Sequence, residues 1–481
     1  FQGWGDVSFH GSTQVPTPNI DVLAGDGVIL NNYYSLPLCT PSRSALMTGF
    51  YPIHTGMQAY VIQDAAPWGL PLELKIMPQH FKDLGYQVNM IGKLFSHAFY
   101  CASVHMLDAI QMKEIPPFEI PPRMRKHFNV FITCKNYFRN RTMLQRQERE
   151  VKQIVIFLCL CVLLNLYSQP FFCYFSYQAV HAALMNVPFQ APERNVLKFP
   201  YIGETNRTLY AGEMKINISW GVADASLLKI KNDTIIAFSS DNGGLPYGAY
   251  SNRGFNWLLR GAKFTLWEGG VRVPAFVWSS KFLKKPRVSD QLMHISDWLP
   301  TLYSAAGKCG DVSNLGSMDG IDMWRYLTLG FGSGRKEVLL TIDPMENLAG
   351  LRYKNYKLVV GEGFDEELDG RYSFPGGLRP TNDVPQLRKD SRVARVLKAF
   401  YGKQNRNWSP LDWSKNPVVD CRERWLTNNF VARQPPYLFI LRFMMRKLAA
   451  CNATAVPPRF QAEDPRGYPE YHGGVWSPWL D

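Results

Sequence analysis

The sequence predicts an α/β fold with a parallel sheet and a second, smaller domain. Its 481 residues, 46% of them hydrophobic, suffice for a large core and are too many for one typical domain. In the first 93 residues, short apolar runs alternate with helix patterns. This order of a strand, a helix and a further strand, at this spacing, is typical of parallel sheets. We expect domains at residues 1–345 and 346–481.

The N-terminal patterns predict regular elements separated by turn signals. In order, they are a helix opened by Pro18, a strand from Val28 to Leu30 leading toward Tyr33 and Tyr34, a helix over residues 78–84 ended by Gly85, and a strand over residues 86–91.

A further short helix begins at Thr40-Pro41-Ser42. Proline suits a first turn, the residues from Ser44 to Met47 are compatible with a helix, and Gly49 would end it. Cys39 then lies at a helix N-terminus, where free backbone N–H groups favour an anion.

Residues 94–153 interrupt the α/β order, and residues 154–164 are almost wholly apolar. We favour a buried helix or strand for the apolar run, over a mis-spliced or intron-derived segment. Its length argues against a membrane span: eleven residues are too few, and Asn165, Gln169 and Pro170 interrupt a longer one.

The carboxyl end of another predicted strand carries a pair of oxygen-bearing side chains. Residues 235–240 have the pattern of a buried strand, followed directly by Asp241 and Asn242. Ligands of open α/β sheets bind at such strand ends, and these oxygens suit calcium. The alternative is an Asn-Gly-Gly turn with a local cap.

Two later patterns complete the prediction. His294-Ile295-Ser296-Asp297 starts a capped helix that Gly307 ends, and residues 350–360 form a hairpin of the smaller domain.

Charge and cysteine content limit the function. A net charge of +13 fits a polyanionic substrate, although much of it can be ordinary solvated surface. No nucleic-acid-reading motif accompanies the charge, so we expect no nucleic-acid partner. The nine cysteines form no CxxC pairs, which disfavours zinc, and the eight besides Cys39 could form disulfides of undetermined pairing.

Six N-x-S/T sequons indicate a secretory-pathway product: Asn140, Asn206, Asn217, Asn232, Asn407 and Asn452. Phe1 begins in the middle of the fold pattern, so we expect an export signal upstream.

The segment Cys39-Thr40-Pro41-Ser42-Arg43, with Thr48-Gly49 after it, resembles the site that a formylglycine-generating enzyme recognises in sulfatases. About three quarters of the chain resembles the formylglycine-dependent sulfatase family, most closely the N-acetylgalactosamine-4-sulfatase type (arylsulfatase B and its near relatives). Further matching segments are residues 170–181, 234–244, 260–263, 266–274 and 464–479. The resemblance implies an alkaline-phosphatase-like sandwich: a large mixed, mostly parallel sheet flanked by helices, plus a smaller C-terminal α+β domain.

The resemblance also implies a mechanism. Cys39 is oxidised to formylglycine, whose hydrate attacks sulfur with one hydroxyl and expels sulfate with the other, splitting one hard step into two. A metal or nearby cations lower the pKa of the diol and hold the sulfate oxygens. The alternative for Cys39 alone is a buried or disulfide-bonded cysteine.

By the same resemblance, a small set of residues surrounds the nucleophile. Arg43 steadies the diol or sulfate, Lys93 contacts both, Lys263 contacts sulfate, His181 protonates the leaving alcohol, and Asp241, Asn242 and the modified Cys39 bind Ca²⁺. The alternatives are a solvated loop lysine for Lys263 and a core histidine at the end of an apolar strand for His181.

Two positions depart from the family pattern. The family places two adjacent aspartates before an x-Gly-Trp, and here Phe1 stands at the second, before Gln2-Gly3-Trp4. With Asp241 as the remaining carboxylate, we expect weak calcium binding. The family histidine two residues after Lys93 is displaced to His97, which keeps the same face if the segment is a strand.

The leading hypothesis is a lysosomal or secreted sulfuric ester hydrolase acting on sulfated hexosamine of glycosaminoglycans, or on aryl sulfates. A catalytically impaired, sulfatase-like protein that binds sulfated glycans is the second. A phosphodiesterase or phosphatase of the same fold is the third, but such enzymes usually have Ser or Thr as nucleophile and a His-rich two-metal cluster, which the sequence lacks.

Overall fold

The computed structural model describes residues 2–63, 65–92, 170–177, 179–182, 189, 191–214, 234–248, 251–283, 285–307, 311–361, 366–380, 383–402, 408, 411 and 435–472. Residues 94–153, the apolar run 154–164, Phe1, Lys93 and His97 lie outside this part of the chain.

The described strands are numbered in chain order. They are β1 (Val28–Leu30), β2 (Tyr33–Tyr34), β3 (Gln87–Gly92), β4 (Phe171–Ser176), β5 (Ile235–Ser239), β6 (Ala275–Ser279), β7 (Arg287–Ser289), β8 (Met293–His294), β9 (Glu337–Asp343), β10 (Leu348–Tyr353) and β11 (Tyr356–Val360).

The helices lie between and after these strands. The α-helices are Pro18–Asp26, Cys39–Thr48, Met77–Asp83, Glu193–Val196, 205–214, Glu268–Val271, Trp298–Ala306, Trp324–Leu329, Val384–Lys389, Arg392–Gly402 and Pro435–Asn452. Short 3₁₀ turns are Trp4–Asp6, Ser8–His10, Pro52–His54, Ile295–Asp297, Val312–Leu315, Glu366–Asp369, Pro465–Gly467 and Pro469–His472.

The sheet structure is mixed, as predicted. A four-stranded sheet has the order β5-β6-β1-β7, in which β1 is parallel to β7, while the pairs β1–β6 and β5–β6 are antiparallel. Within the described residues this sheet is therefore not mostly parallel, although the resemblance had implied a mostly parallel one. The pairs β2 with β8 and β3 with β4 are parallel. Parallel strands joined through helices confirm the α/β class.

The four-stranded sheet is covered on both faces. Val28 and Leu30 of β1 face one hydrophobic cluster, which includes Met47 of the helix Cys39–Thr48. Ile29, between them, faces a second cluster with Leu23 of the helix Pro18–Asp26. Alternate residues of a strand point to opposite faces, so the sheet is the middle layer of a sandwich.

The strand before Asp241 is less buried than predicted. The side chains of β5 are half-buried and Ala237 is exposed. Among the described strands, β5 pairs on one side only, with β6. The buried-strand prediction was therefore wrong for this segment, because an apolar run does not show whether a strand lies at the edge of a sheet.

The local helix signals are confirmed. Gly49 has φ 73°, the left-handed region open to glycine, and its N–H donates to the Ala45 carbonyl at the helix end. The helix Trp298–Ala306 ends at Gly307, and the side chain of His294 accepts from the Ser296 N–H to cap the preceding turn.

The C-terminal part of the chain contains an antiparallel sheet of order β11-β10-β9. The predicted hairpin is β10-β11, with Tyr353 opposite Tyr356. Met444 and Leu448 of the helix Pro435–Asn452 pack on this sheet. β9 precedes residue 345 and shares the sheet with β10, and the predicted domain division there stays a prediction.

None of the described helices combines the length and apolar character that a bilayer crossing requires. Among the described cysteines, Cys39 and Cys451 have free thiols.

Candidate active site

Cys39 is the first residue of its helix and is fully buried. Ser42 fixes the entry to this helix: its hydroxyl accepts from the Leu36 N–H and donates to the Leu36 carbonyl. The Cys39 thiol donates to Asn242 Oδ1 over 3.4 Å. The helix start and the end of β5 therefore meet, although 203 residues separate them in the chain.

Arg43 lies one turn after Cys39 and shares its face of the helix. Its Nε and Nη2 donate to Asp241 Oδ2 over 2.9 and 2.7 Å. Burial opposes the charge on Arg43, but Asp241, Tyr174 and Cys39 together more than offset this, and the pKa of Arg43 is raised. The guanidinium is thus a permanent, fixed positive charge beside Cys39.

Two residues that the sequence analysis did not select also contact Arg43. Nη1 donates to Ser176 Oγ over 2.5 Å and lies 3.5 Å from the Tyr174 hydroxyl oxygen. Both are in β4, two residues apart, so their side chains point to the same face. The feature that could have identified these two residues is their position at the carboxyl end of a strand, which the structure shows to be parallel to β3.

The turn after β5 is held by its own polar groups. Ser240 Oγ donates to the Asn242 carbonyl over 2.8 Å, and Asn242 Nδ2 donates to the Gly243 carbonyl over 2.8 Å. The second bond directs the amide oxygen of Asn242 toward Cys39. The N–H of Gln2 donates to Ser240 Oγ over 3.0 Å, so the N-terminal segment lies beside this turn.

Lys263 is buried, with 3% of its surface exposed, so it is not a solvated loop lysine. Its N–H donates to the Gly244 carbonyl over 3.1 Å, and the next N–H, of Phe264, donates to the Pro37 carbonyl over 3.1 Å. The loop of Lys263 therefore runs between the Asp241 turn and the segment that leads into Cys39.

His181 lies in a turn beyond β4, which ends at Ser176, so the prediction that it ends the apolar strand was wrong. Polar groups at positions 176–178 stop the apolar pattern earlier. Its Nδ1 is 2.6 Å from the Ala182 carbonyl, and Asn252 Nδ2 donates to the Val180 carbonyl beside it. Its catalytic role stays a prediction, as does that of Lys93, which lies outside the described residues.

The described residues offer the type of ligand atom that calcium prefers, but they offer too few of them. Asp241 and Asn242 provide hard oxygen ligands next to Cys39, whereas Ca²⁺ takes about six to eight oxygens. Arg43 already engages Oδ2 of Asp241. Across the described ranges, no group of three or more His, Cys, Asp or Glu side chains is arranged to hold a metal ion.

Comparisons with known proteins identify the family of this chain. A family profile described as Sulfatase matches residues 2–308. Arylsulfatase J of Mus musculus is 31% identical, over 99% of this chain and 78% of its own length. N-acetylgalactosamine-6-sulfatase of Canis lupus familiaris is 29% identical, over 88% of this chain and 82% of its own.

Solved structures share the fold. Ps i-CgsB is similar with a TM-score of 0.62 at 20% identity, covering 97% of this chain and 94% of its own. The PsFucS1 sulfatase from Pseudoalteromonas sp. has a TM-score of 0.53 at 21% identity, covering 85% and 90%.

Proposed function

Because the chain belongs to the sulfatase family, we propose that it is a sulfuric ester hydrolase that removes sulfate from sulfated hexosamines of glycosaminoglycans. The single observation that supports this most strongly is the meeting of the helix start at Cys39 and Arg43 with the strand end at Asp241 and Asn242. Two contacts make it, Cys39 with Asn242 and Arg43 with Asp241, across 203 and 198 residues of chain.

Position 39 suits an oxidised, anion-binding side chain. It lies at the N-terminus of a ten-residue helix, whose unpaired N–H groups favour negative charge. Formylglycine, when formed there, supplies a hydrated aldehyde as the nucleophile. The Asn242 amide oxygen is placed to accept a hydrogen bond from the side chain at this position and so to orient it.

The fixed cations serve the sulfate group. Asp241 and Ser176 hold Arg43 rigidly, so Arg43 needs little reorganisation when charge develops on the sulfate oxygens. Lys263 is buried in the adjoining loop and adds a second cation. His181 supplies the proton to the leaving alcohol, a task that suits imidazole near neutral or mildly acid pH.

The substrate class follows from chemistry and from relatives. A net charge of +13 favours a polyanionic polymer over a neutral one. Relatives named N-acetylgalactosamine-6-sulfatase act, by name, on a sulfated hexosamine, while our sequence-based preference is the 4-sulfate. We extend the proposal to a lysosomal or secreted location, in keeping with the six sequons.

Calcium is part of the proposal as a weakly held ion. Asp241 and Asn242 would hold it beside position 39, where a divalent cation would add to the positive charge that faces sulfate.

The second candidate is a catalytically impaired protein that binds sulfated glycans. Phe1 at the position of a family aspartate favours it, as does the engagement of Asp241 by Arg43.

The test uses the chain produced together with a formylglycine-generating enzyme. Mass spectrometry of the Cys39 peptide should show loss of sulfur and gain of an aldehyde, and p-nitrophenyl sulfate should be turned over. Cys39→Ala should abolish turnover, whereas Cys451→Ala, a change at a half-buried free thiol, should leave it intact.

Turnover should then be compared on the 4-sulfate and 6-sulfate of N-acetylgalactosamine. An unmodified Cys39, or no turnover of any of these esters together with retention on a sulfated-glycan column, would favour the binding protein instead.

A further inference from the structure

We propose that Glu268 is a positioning residue of this active site, and that Arg352 and Lys357 of the C-terminal hairpin hold it in place. The inference rests on the proposed sulfatase function, because it concerns the geometry of the same site.

Glu268 is a fully buried carboxylate outside the group of residues around Cys39. It begins the helix Glu268–Val271. Lys357 Nζ donates to its Oε1 over 2.9 Å, and the Tyr34 hydroxyl donates to its Oε2 over 2.7 Å. Arg272 Nη1 lies 3.4 Å from Oε2. A buried charge is tolerated only when paired in this way, so the contacts fix the carboxylate.

The hairpin carries an arrangement that is unfavourable by itself. Arg352 and Lys357 are direct partners across β10 and β11, and both are buried. Like charges at opposite positions of a hairpin repel each other. Glu268 compensates this repulsion, since Arg352 Nη1 lies 3.8 Å from its Oε2 and Lys357 contacts its Oε1. The hairpin and the helix therefore depend on each other.

The helix that Glu268 begins is in direct backbone contact with the turn of the active site. The Gly243 N–H donates to the Gly270 carbonyl over 2.9 Å. A Cβ at Gly243 would collide with the Gly269 carbonyl, so these segments approach as only glycines allow. No flexible side chain lies between them to absorb a shift, and movement of the helix must move Asn242, the neighbour of Gly243.

Glu268 is linked to the other half of the site as well. Tyr34 lies five residues before Cys39, and the next N–H, of Ser35, donates to the Val271 carbonyl over 2.8 Å. Glu268 thus ties the segment leading into Cys39, the helix behind Asn242 and the C-terminal hairpin to one point. The position of Glu268 therefore sets the distance between Cys39 and Asn242, and that distance sets the rate of sulfate ester hydrolysis.

The experiment compares Lys357→Met with Lys354→Met, an exposed lysine at the turn of the same hairpin. Each purified full chain is assayed on p-nitrophenyl sulfate, with rates divided by its formylglycine content. We expect Lys357→Met to lower kcat about 10- to 100-fold, since a displacement of about one ångström can cost up to about 100-fold, with KM changed less than about threefold. Lys354→Met should match the parent chain.

Tyr34→Phe keeps every charge and removes the hydroxyl that donates to Glu268 and accepts from Arg352, so it decides the matter if Lys357→Met does not fold. It should lower kcat about three- to tenfold, and a purely structural role would instead reduce the melting temperature and leave kcat per formylglycine unchanged. That last result in a folded variant overturns the inference. A parent chain that fails to turn over the ester overturns the proposed function itself, which separates the two.

Discussion

Removing the Ser176 hydroxyl tests whether a rigid Arg43 matters for catalysis. In the folded protein Ser176 Oγ accepts from Arg43 Nη1 over 2.5 Å, while Asp241 engages the other side of the guanidinium. Ser176→Ala leaves a buried N–H of a charged group without this acceptor. A hydrogen bond to a charged group contributes about 1.5–3 kcal/mol. If the full amount is lost in the transition state, kcat/KM falls by about 10- to 150-fold.

The structure also provides two control variants, one with a smaller expected effect and one with no expected effect. The Tyr174 hydroxyl is 3.5 Å from the same nitrogen, at the limit of a hydrogen bond, so Tyr174→Phe should cost less than about threefold. Ser289→Ala removes a buried hydroxyl at the end of β7 and should leave the rate unchanged.

The assay is initial-rate turnover of p-nitrophenyl sulfate per formylglycine, alongside the melting temperature. The reasoning is refuted if folded Ser176→Ala keeps kcat/KM within about twofold of the parent chain, or if Tyr174→Phe is the more damaging change.

Three further predictions concern pH, packing and calcium. Burial, with a contribution from Arg335, lowers the pKa of His294 well below 6.5, so the folded state keeps it neutral where the unfolded chain is protonated. The free energy of unfolding should therefore fall as the pH drops below about 6.5, by up to ~2 kcal/mol at about pH 5 from this group. Asparagine at this position can still cap the turn but does not titrate, so thermal unfolding of His294→Asn should show a loss of stability with acid that is smaller by this amount. Gly243→Ala should lower both the melting temperature and the activity because its Cβ would strike a backbone carbonyl, whereas Gly69→Ala, with open space around it, should change neither. Chelation should reduce turnover and calcium restore it, and Asp241→Asn should weaken calcium binding in direct titration at least about tenfold, since it removes the carboxylate of the site; equal affinities would contradict Asp241 as a ligand.

Much of the local structure was predictable because its causes are local. Gly49 ends its helix because glycine readily adopts the left-handed conformation, and Gly307 directly follows the last residue of the helix Trp298–Ala306. The β10-β11 hairpin follows from a short turn between apolar strands. The position of Cys39 at a helix N-terminus was predicted in the same way, from proline and helix-compatible residues that follow it.

The candidate site was predictable as a set of residues but not as a set of contacts. Asp241 was assigned to calcium, and the structure shows Arg43 on its carboxylate. Ser176 was overlooked because serine at a strand end is common, and only the pairing of β4 with β3 beside the helix Cys39–Thr48 brings it to Arg43. The partial exposure of β5 depends on which strands pair with it, and its own residues do not encode that.

Local signals suffice to predict the helix that presents Cys39, the strand that precedes Asp241 and the α/β class, because capping, turn chemistry and hydrophobic period act over a few residues. The contacts of Arg43 with Asp241 and Ser176, and the link that Glu268 makes between the C-terminal hairpin and the active-site turn, are seen in the folded chain and not in any local pattern. Those contacts join segments tens to hundreds of residues apart, and they depend on sheet order and on close backbone approach at glycines, which no local pattern specifies.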